Sequence, residues 1–410
     1  MSYSINEVKI RDVDGVGGFM LRYLTAGESH GPALTAIIEG LPAGLRLDVD
    51  QINRQLWRRQ QGYGRGYRMK IETDTVEILS GLRFRRTLGT PLAFTVANRD
   101  HRNWLDRMAP TGEEPADLAK VTKPRPGHAD LAGALKYDFD DVRDTLERAS
   151  ARNTATMVAV GAVARQLLAE FGMEIAAHIV ELGPVRADPA VLAGLAPDEI
   201  ARRAEESPVR CADAAARERM IAAIEQAREA GDTLGGIFEV VATGVPVGLG
   251  TYAMPDRRLD ALLAGAMMGI QAIKGVEIGL GFEAARRFGS DVHDAIFQSP
   301  ERGFYRETNG AGGVEGGISN GAPIVVRAAM KPISTLYAPL MSVDLASKEP
   351  FPASIERSDT CAAPAAAVVG ENVAAWVLAQ AFVEKFGGDS LAEMRRNYDG
   401  YAARLRERSR

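Results

Sequence analysis

Between Phe19 and Ala26 apolar and polar side chains alternate (FMLRYLTA), the period of a half-buried strand. PALTAIIEGL follows, opened by Pro32, and reads as a strand or helix leaving a turn. DVDQINRQLWRRQQ places Ile52, Leu56 and Arg59 at helical spacing, and the glycine-rich loop GYGRGYR comes next. IETDTVEILSGLRF and GTPLAFTVAN read as strands of a hairpin or meander. RMAPTGEEPADLAKVTKPRPGHADLAG carries four prolines, which prevent long regular elements.

Two later segments are apolar on nearly every face: ASARNTATMVAVGAVARQLLAEFG and CAAPAAAVVGENVAAWVLAQAFVEKFGG. Helices of that kind are interior helices, so a layered α+β fold with helices inside is expected. The similar style of the two segments raises the idea of an old duplication. Residues 186–229 are charged and alanine-rich and read as a surface helical insert. IFEVVATGVPVG is strand-like, RLDALLAGAMMGIQAIKG is a small-residue helix, and 290–315 reads as a long polar loop, mobile without ligand.

Composition narrows the classes. The 410 residues are 46% apolar and 25% charged, ordinary for a globular protein. A net charge of −5 gives no global attraction for nucleic acid or anionic membrane. Two cysteines, Cys211 and Cys361, exclude a disulfide framework and a cysteine metal cage, and no metal is expected. The polar start MSYSINEVKIRDVDG lacks the apolar core of a secretory signal. The most apolar window is broken by Pro364, Glu371 and Asn372. A cytoplasmic protein is expected, with no nucleic-acid or membrane partner.

GESHG at 27–31 matches G-x-S-x-G, the strand-to-helix elbow of serine hydrolases. That elbow needs a preceding βαβ scaffold, and only 26 residues precede Gly27. Gly279 to Ala284 fits G-x-G-x-x-A, but the helix that must follow is cut at Phe288-Gly289. Basic residues, by contrast, gather beside glycine-rich turns: Arg58, Arg59, Arg65 and Arg68, then Arg125, His128, Arg143, Arg148 and Arg152, then Arg357 beside Asp359. Guanidinium groups hold carboxylates and phosphates through two parallel hydrogen bonds. An RNA-contacting arm is the rival reading of these clusters, and the acidic balance weighs against it.

Nine strings then occur in one order: GESHGPALTAIIEGLPAGL, RRQQGYGRG, RPGHADLAGALKY, ERASARNTA, GDTLGG, AIKGVEIG, GGVEGGISNG, MKPIST and RSDTCAAPAAAVVGE. Together they resemble the chorismate synthases, from about Met20 to about Gly388. The resemblance implies a single catalytic domain over 20–410 after a 1–19 extension. It implies a β-α-β sandwich of antiparallel sheets enclosing helices, assembled as a homotetramer. The implied reaction is anti-1,4-elimination of phosphate from 5-enolpyruvylshikimate 3-phosphate, with reduced FMN, giving chorismate in the shikimate pathway to aromatic amino acids. NADPH is the implied reductant, acting directly or through a separate reductase.

Carried over by position, His30 is implied as proton donor to the departing phosphate. Ser29 becomes its hydrogen-bonding neighbour. His128 is implied beside the reduced flavin's N1 and O2 edge, and Asp359 as a proton relay at N5. Asp359 is also a natural helix cap in Ser-Asp-Thr. Flavin contacts are implied for Arg148, Ala149, Ser150, Gln271, Ala272, Gly316, Lys331, Pro332, Ile333, Ser334, Thr335 and Arg357. Where Gln271 stands, the family often has Asn. Arg59 and Arg65 match positions assigned to NADP. With Ser29 and Arg152 they are read here as contacts to substrate anions or NADP. His101, His178 and His293 match no catalytic position and are read as structural.

Overall fold

The computed structural model describes residues 21–66, 73–355 and 358–409. The 1–19 extension, Arg68 and Arg357 lie outside the described residues. The fold is α+β, with two principal antiparallel sheets. The first comes from the N-terminal part of the chain: β1 (Arg22–Ala26), β2 (Ala33–Glu39), β3 (Val76–Ser80) and β4 (Leu92–Ala97), in the order β1-β2-β4-β3. PALTAIIEGL is therefore a strand. Leu34, Ala36 and Ile38 alternate into the core and pair through the sheet with Val96, Phe94 and Leu92.

The second sheet contains β5 (Glu174–Leu182), β6 (Val185–Arg186), β7 (Gly236–Thr243), β8 (Ile273–Ile278) and β9 (Ile324–Met330), in the order β8-β9-β7-β5-β6. Phe238, Val240 and Ala242 of β7 point into the core at period two.

α1 (Val49–Gln60) begins at Asp48, whose side chain accepts the Asp50 N–H, and it buries Ile52 and Leu56. Two short helices follow the proline-rich loop, α2 (Asp130–Tyr137) and α3 (Arg143–Ala149). The two all-apolar segments are helices, α4 (Thr154–Ala169) and α5 (Ala363–Phe386), and they pack on each other. α4 also touches β2, and α5 touches β5 and β7. By length and composition α5 is apolar enough to cross a membrane, but 94% of that window is buried inside the fold.

Missing side chains set the contacts of α5 with α4 and with β7. A Cβ on Gly161 would lie 2.2 Å from the Asn372 carbonyl oxygen, and one on Gly370 would lie 2.3 Å from the Phe238 ring. Only glycine permits approach this close.

Segment 186–229 forms helices Pro189–Ala193, Pro197–Glu206 and Ala214–Glu229. The last buries Ala216, Met220, Ile224 and Ala227, so the segment has a packed face as well as a wet one. Cys211 and Cys361 are buried and unpaired, and burial pushes both thiols up to about 11.

The expectation for 290–315 is corrected. Strands Ile296–Ser299 and Gly303–Arg306 form a hairpin. Asp294 anchors the return by accepting from Thr308 Oγ1, Gly310 N (2.7 Å) and Ala311 N (2.9 Å). Asp294 acts on the loop that follows the hairpin, and alternation of side chains does not reveal such an anchor. The glycine pattern at 279–284 continues into a short 3-10 helix, Gly281–Arg286, which supports no dinucleotide site.

Candidate active site

One cavity of about 780 Å³ receives residues from the β1–β2 turn, the end of α1, the α3–α4 junction, the segment leading into β8 and the loop after β9. That is within the span of roughly 300–1,000 Å³ of small-molecule sites. Its lining includes seven cationic side chains: Arg59, Arg65, Arg125, Arg143, Arg152, Lys274 and Lys331. The first turns of α4 and α5 also line it, through Thr154 and through Ala365 and Ala366. Helix N-terminal N–H groups favour anions, so backbone and side chains carry the same sign.

The turn bearing His30 is tightly specified. Gly27 has φ +110°, and a Cβ there would meet the Ala33 carbonyl oxygen at 2.4 Å. The Asn98 amide donates to the carbonyls of Glu28 (3.0 Å) and Gly31 (2.8 Å). His30 Nδ1 lies 2.7 Å from Glu147 Oε1, and His30 N–H donates to Glu147 Oε2 at 2.7 Å. Burial pushes the Glu147 carboxyl up, but its bonds from His30 and the nearby Arg143 outweigh this and leave it below its ordinary value. The Trp104 ring lies 4.1 Å from the His30 ring, and His101 Nδ1 bonds the His30 carbonyl at 2.8 Å.

His128 has a similar brace. Its Nδ1 contacts Asp130 Oδ1, and Asp130 also accepts from Arg125 Nε at 2.8 Å. Arg125 reaches Thr335 Oγ1 at 3.0 Å, tying the 125–130 loop to the 331–335 segment. Burial raises the Asp130 carboxyl, but hydrogen bonds from His128 and Arg125 outweigh burial and hold it well below the ordinary range.

Behind the cavity wall, Asp74 bridges two buried arginines. It accepts Arg59 Nη2 at 2.6 Å and Arg152 Nη1 at 2.7 and 2.8 Å. Asp359 accepts Arg65 Nη1 at 2.5 Å and Gly66 N at 2.6 Å. Among the described residues, Asp74, Asp100, Asp130, Glu147 and Asp359 are fewer than the seven cations, which leaves a cationic surplus at the cavity.

A model of the chorismate synthase family matches residues 21–383. This chain belongs to the chorismate synthase family. Chorismate synthase of Geobacter metallireducens is 59% identical over 394 residues, covering 94% of this chain and 100% of that protein. Chorismate synthase of Geobacillus thermodenitrificans is 57% identical over 381 residues, covering 92% and 98%. A solved structure titled "Crystal Structure of Chorismate Synthase" superposes with a TM-score of 0.77 at 44% identity, covering 95% of this chain and 99% of that one. The activity is that of a carbon–oxygen lyase acting on phosphates, on a small-molecule substrate, and the family implies a reduced flavin.

Most of the positions that the chorismate synthase resemblance singles out converge on the cavity. His30, His128 and Asp359 line it, as do Ser29, Arg59, Arg65, Arg152, Ala149, Ser150, Gln271, Ala272, Lys331, Ile333, Ser334 and Thr335. Arg148 does not. Its guanidinium donates to the Thr25 and Gly27 carbonyls (3.0 and 3.1 Å) and to Asn153 Oδ1 (2.8 Å), so it braces the turn from outside. Gly316 lies in the turn between short strands Val314–Glu315 and Ile318–Ser319, and it and Pro332 do not line the cavity. Asp359 is not a helix cap, since α5 is entered at Ala362 without a side-chain cap.

The elbow reading of GESHG is overturned. The motif joins two antiparallel strands, and Ser29 Oγ pairs with Ser150 Oγ at 3.1 Å. The sequence reading missed Glu147, Asp130, Asp74, Asp100, Trp104 and Lys274. For Glu147 and Asp130 a local signal existed: one precedes Arg148 in ERAS, and the other stands two residues after His128.

Proposed function

We propose that this chain catalyses the FMN-dependent anti-1,4-elimination of phosphate from 5-enolpyruvylshikimate 3-phosphate to give chorismate, within the shikimate pathway. The observation that carries this reading is the single cavity uniting His30, His128 and Asp359 with seven cationic side chains. A substrate with two carboxylates and a phosphate needs such a surplus.

A flavin fits the residues present. Gln271 Oε1 is buried, lines the cavity and has no hydrogen-bond partner among the described residues, so it awaits an N–H donor. Lys331 Nζ rests on Ser334 Oγ at 2.9 Å, and Ser334 donates to the Gly127 carbonyl at 2.9 Å. Burial, with Lys274 nearby, lowers the Lys331 ammonium from its ordinary value, so an anionic guest would relieve it. Gln271, Ala272, Lys331, Ile333, Ser334 and Thr335 would hold the ring system and its phosphate. When bound, reduced flavin would supply electron density that helps expel the phosphate and an acceptor for the hydrogen that no side-chain base removes easily.

The chain's own part is placement and protons. Arg59, Arg65, Arg125 and Arg152 orient the anions. His30 holds a proton for the departing phosphate, and His128 presents an imidazole edge braced by Asp130. Asp359 keeps a carboxylate at the cavity wall beside Arg65.

We read the chain as one domain over 20–410 and its layers as a β-α-β sandwich, supported by α4 touching β2 and α5 touching β5 and β7. A cytoplasmic homotetramer reduced by NADPH, directly or through another protein, completes the proposal. The test is His30→Ala: flavin affinity stays near wild type while anaerobic turnover falls about 10²-fold or more. Unchanged turnover removes His30 from the chemistry.

A further inference from the structure

Glu147 grips the Ser29–His30 turn at three atoms. Its backbone carbonyl accepts the Ser29 N–H at 3.0 Å, Oε2 accepts the His30 N–H at 2.7 Å, and Oε1 lies 2.7 Å from His30 Nδ1. The Glu147 side chain is only 2% exposed, so water does not compete for these bonds. Trp104, 31° from the imidazole plane, restricts the ring on its face. On the opposite edge Nε2 lies 4.0 Å from Asp100 Oδ2, beyond direct hydrogen-bond reach. The two ring nitrogens are therefore unequal: one is held, the other is not.

An ionised carboxylate only accepts hydrogen bonds, so Nδ1 must carry the hydrogen in this pair. The ring's tautomer is set by the bond its other nitrogen makes. We propose that Glu147 is a positioning residue that fixes His30 as the Nδ1–H tautomer and thereby assigns proton delivery to Nε2. This rests on the reading of His30 as proton donor. The imidazolium gives the Nε2 proton to a phosphate oxygen as the carbon–oxygen bond breaks. The phosphate leaves with that bond's electron pair, and His30 becomes neutral with Nδ1–H retained.

The surrounding charges fit this assignment. Arg143 Nη1 approaches the same Oε1 at 3.4 Å, keeping it anionic without replacing the imidazole contact. His101 bonds the His30 carbonyl and not its ring. Glu147 reaches His30 from α3, while His30 lies in the turn after β1. The inter-element bond thus sets both the ring's place and its chemistry.

The experiment combines NMR with kinetics. Long-range proton–nitrogen spectra of histidine-labelled protein are recorded across pH, with His30 assigned by its absence from His30→Ala. The neutral wild-type ring keeps its hydrogen on Nδ1. Glu147→Gln keeps one acceptor oxygen for Nδ1–H, losing the His30 N–H bond to its amide NH2, and so retains this tautomer, whereas Glu147→Leu returns the ring to Nε2–H. Turnover in Glu147→Leu falls about 10²-fold or more with little change in KM, and Glu147→Gln recovers most of it.

A neutral wild-type His30 carrying its hydrogen on Nε2, or a Glu147→Leu enzyme with wild-type kcat, overturns the inference. If Glu147→Leu does not fold, the wild-type spectrum decides alone. Full turnover in His30→Ala defeats the underlying reading. Slow His30→Ala beside fast Glu147→Leu defeats only the positioning role.

Discussion

Asp74 shows how one carboxylate can hold a site it does not line. Arg59 and Arg152 are buried, and both spend hydrogen bonds on it. Burial pulls the Arg59 guanidinium below its ordinary value, with Asp74 opposing and Arg152 and Arg65 adding to the pull. Asp74→Asn leaves two buried guanidinium groups against a neutral amide. Breaking a buried pair in this way costs about 3–5 kcal/mol, read as a lower urea midpoint at unchanged slope. A loss below about 1 kcal/mol would show that Arg59 and Arg152 re-pair elsewhere. The histidines were legible in the sequence because each sits in a short quoted string. Asp74 was not, since its partners stand 15 and 78 residues away and no local pattern marks them. The direction of the Arg148 side chain was not legible for a related reason: it turns back to Thr25 and Gly27, 123 and 121 residues away.

At the scale of elements, α4 and α5 were legible because apolar residues on every face leave no solvent side. Their mutual register was not, because it depends on where a side chain is missing. Gly161→Val places branched carbons where a Cβ already lies 2.2 Å from a backbone oxygen that cannot swing away. Overpacking of this kind costs about 1–3 kcal/mol or more, measured by chemical denaturation. Wild-type stability in that variant would contradict the close helix contact. The 296–306 hairpin escaped prediction because Ile296 and Phe297 are 65% and 40% exposed, which erases the inside-outside alternation a strand usually shows. Its anchor, Asp294, acts through loop backbone at Gly310 and Ala311.

For the whole molecule, residues of both sheets and of α4 and α5 share one hydrophobic core, Leu34 and Phe94 among them together with Phe238 and Val326. The α+β class followed from runs of strands separated by apolar helices. The meeting of distant segments at one cavity followed only from the ordered strings. Acid sensitivity belongs to this scale, because its carboxylates are spread over the fold. Asp74, Asp130 and Glu147 all sit below their ordinary values, and Glu205 beside Arg58 and Arg210 is lowered from 4.5 to about 2. Depressed carboxylates contribute stability above the unfolded-state value, and that stability disappears as pH falls through the folded-state value. The melting temperature should therefore hold down to about pH 5 and fall steeply from about 4.5 toward 2. A flat profile across that interval would mean the ion pairs contribute nothing.

The most direct test of the central claim is anaerobic turnover of 5-enolpyruvylshikimate 3-phosphate, followed by chorismate absorbance and released phosphate. Chemically reduced FMN is supplied in one arm and left out of the other. The account predicts equal amounts of chorismate and phosphate, formed only with the reduced flavin present. Absence of chorismate in both arms, or its formation at the same rate without flavin, would contradict it.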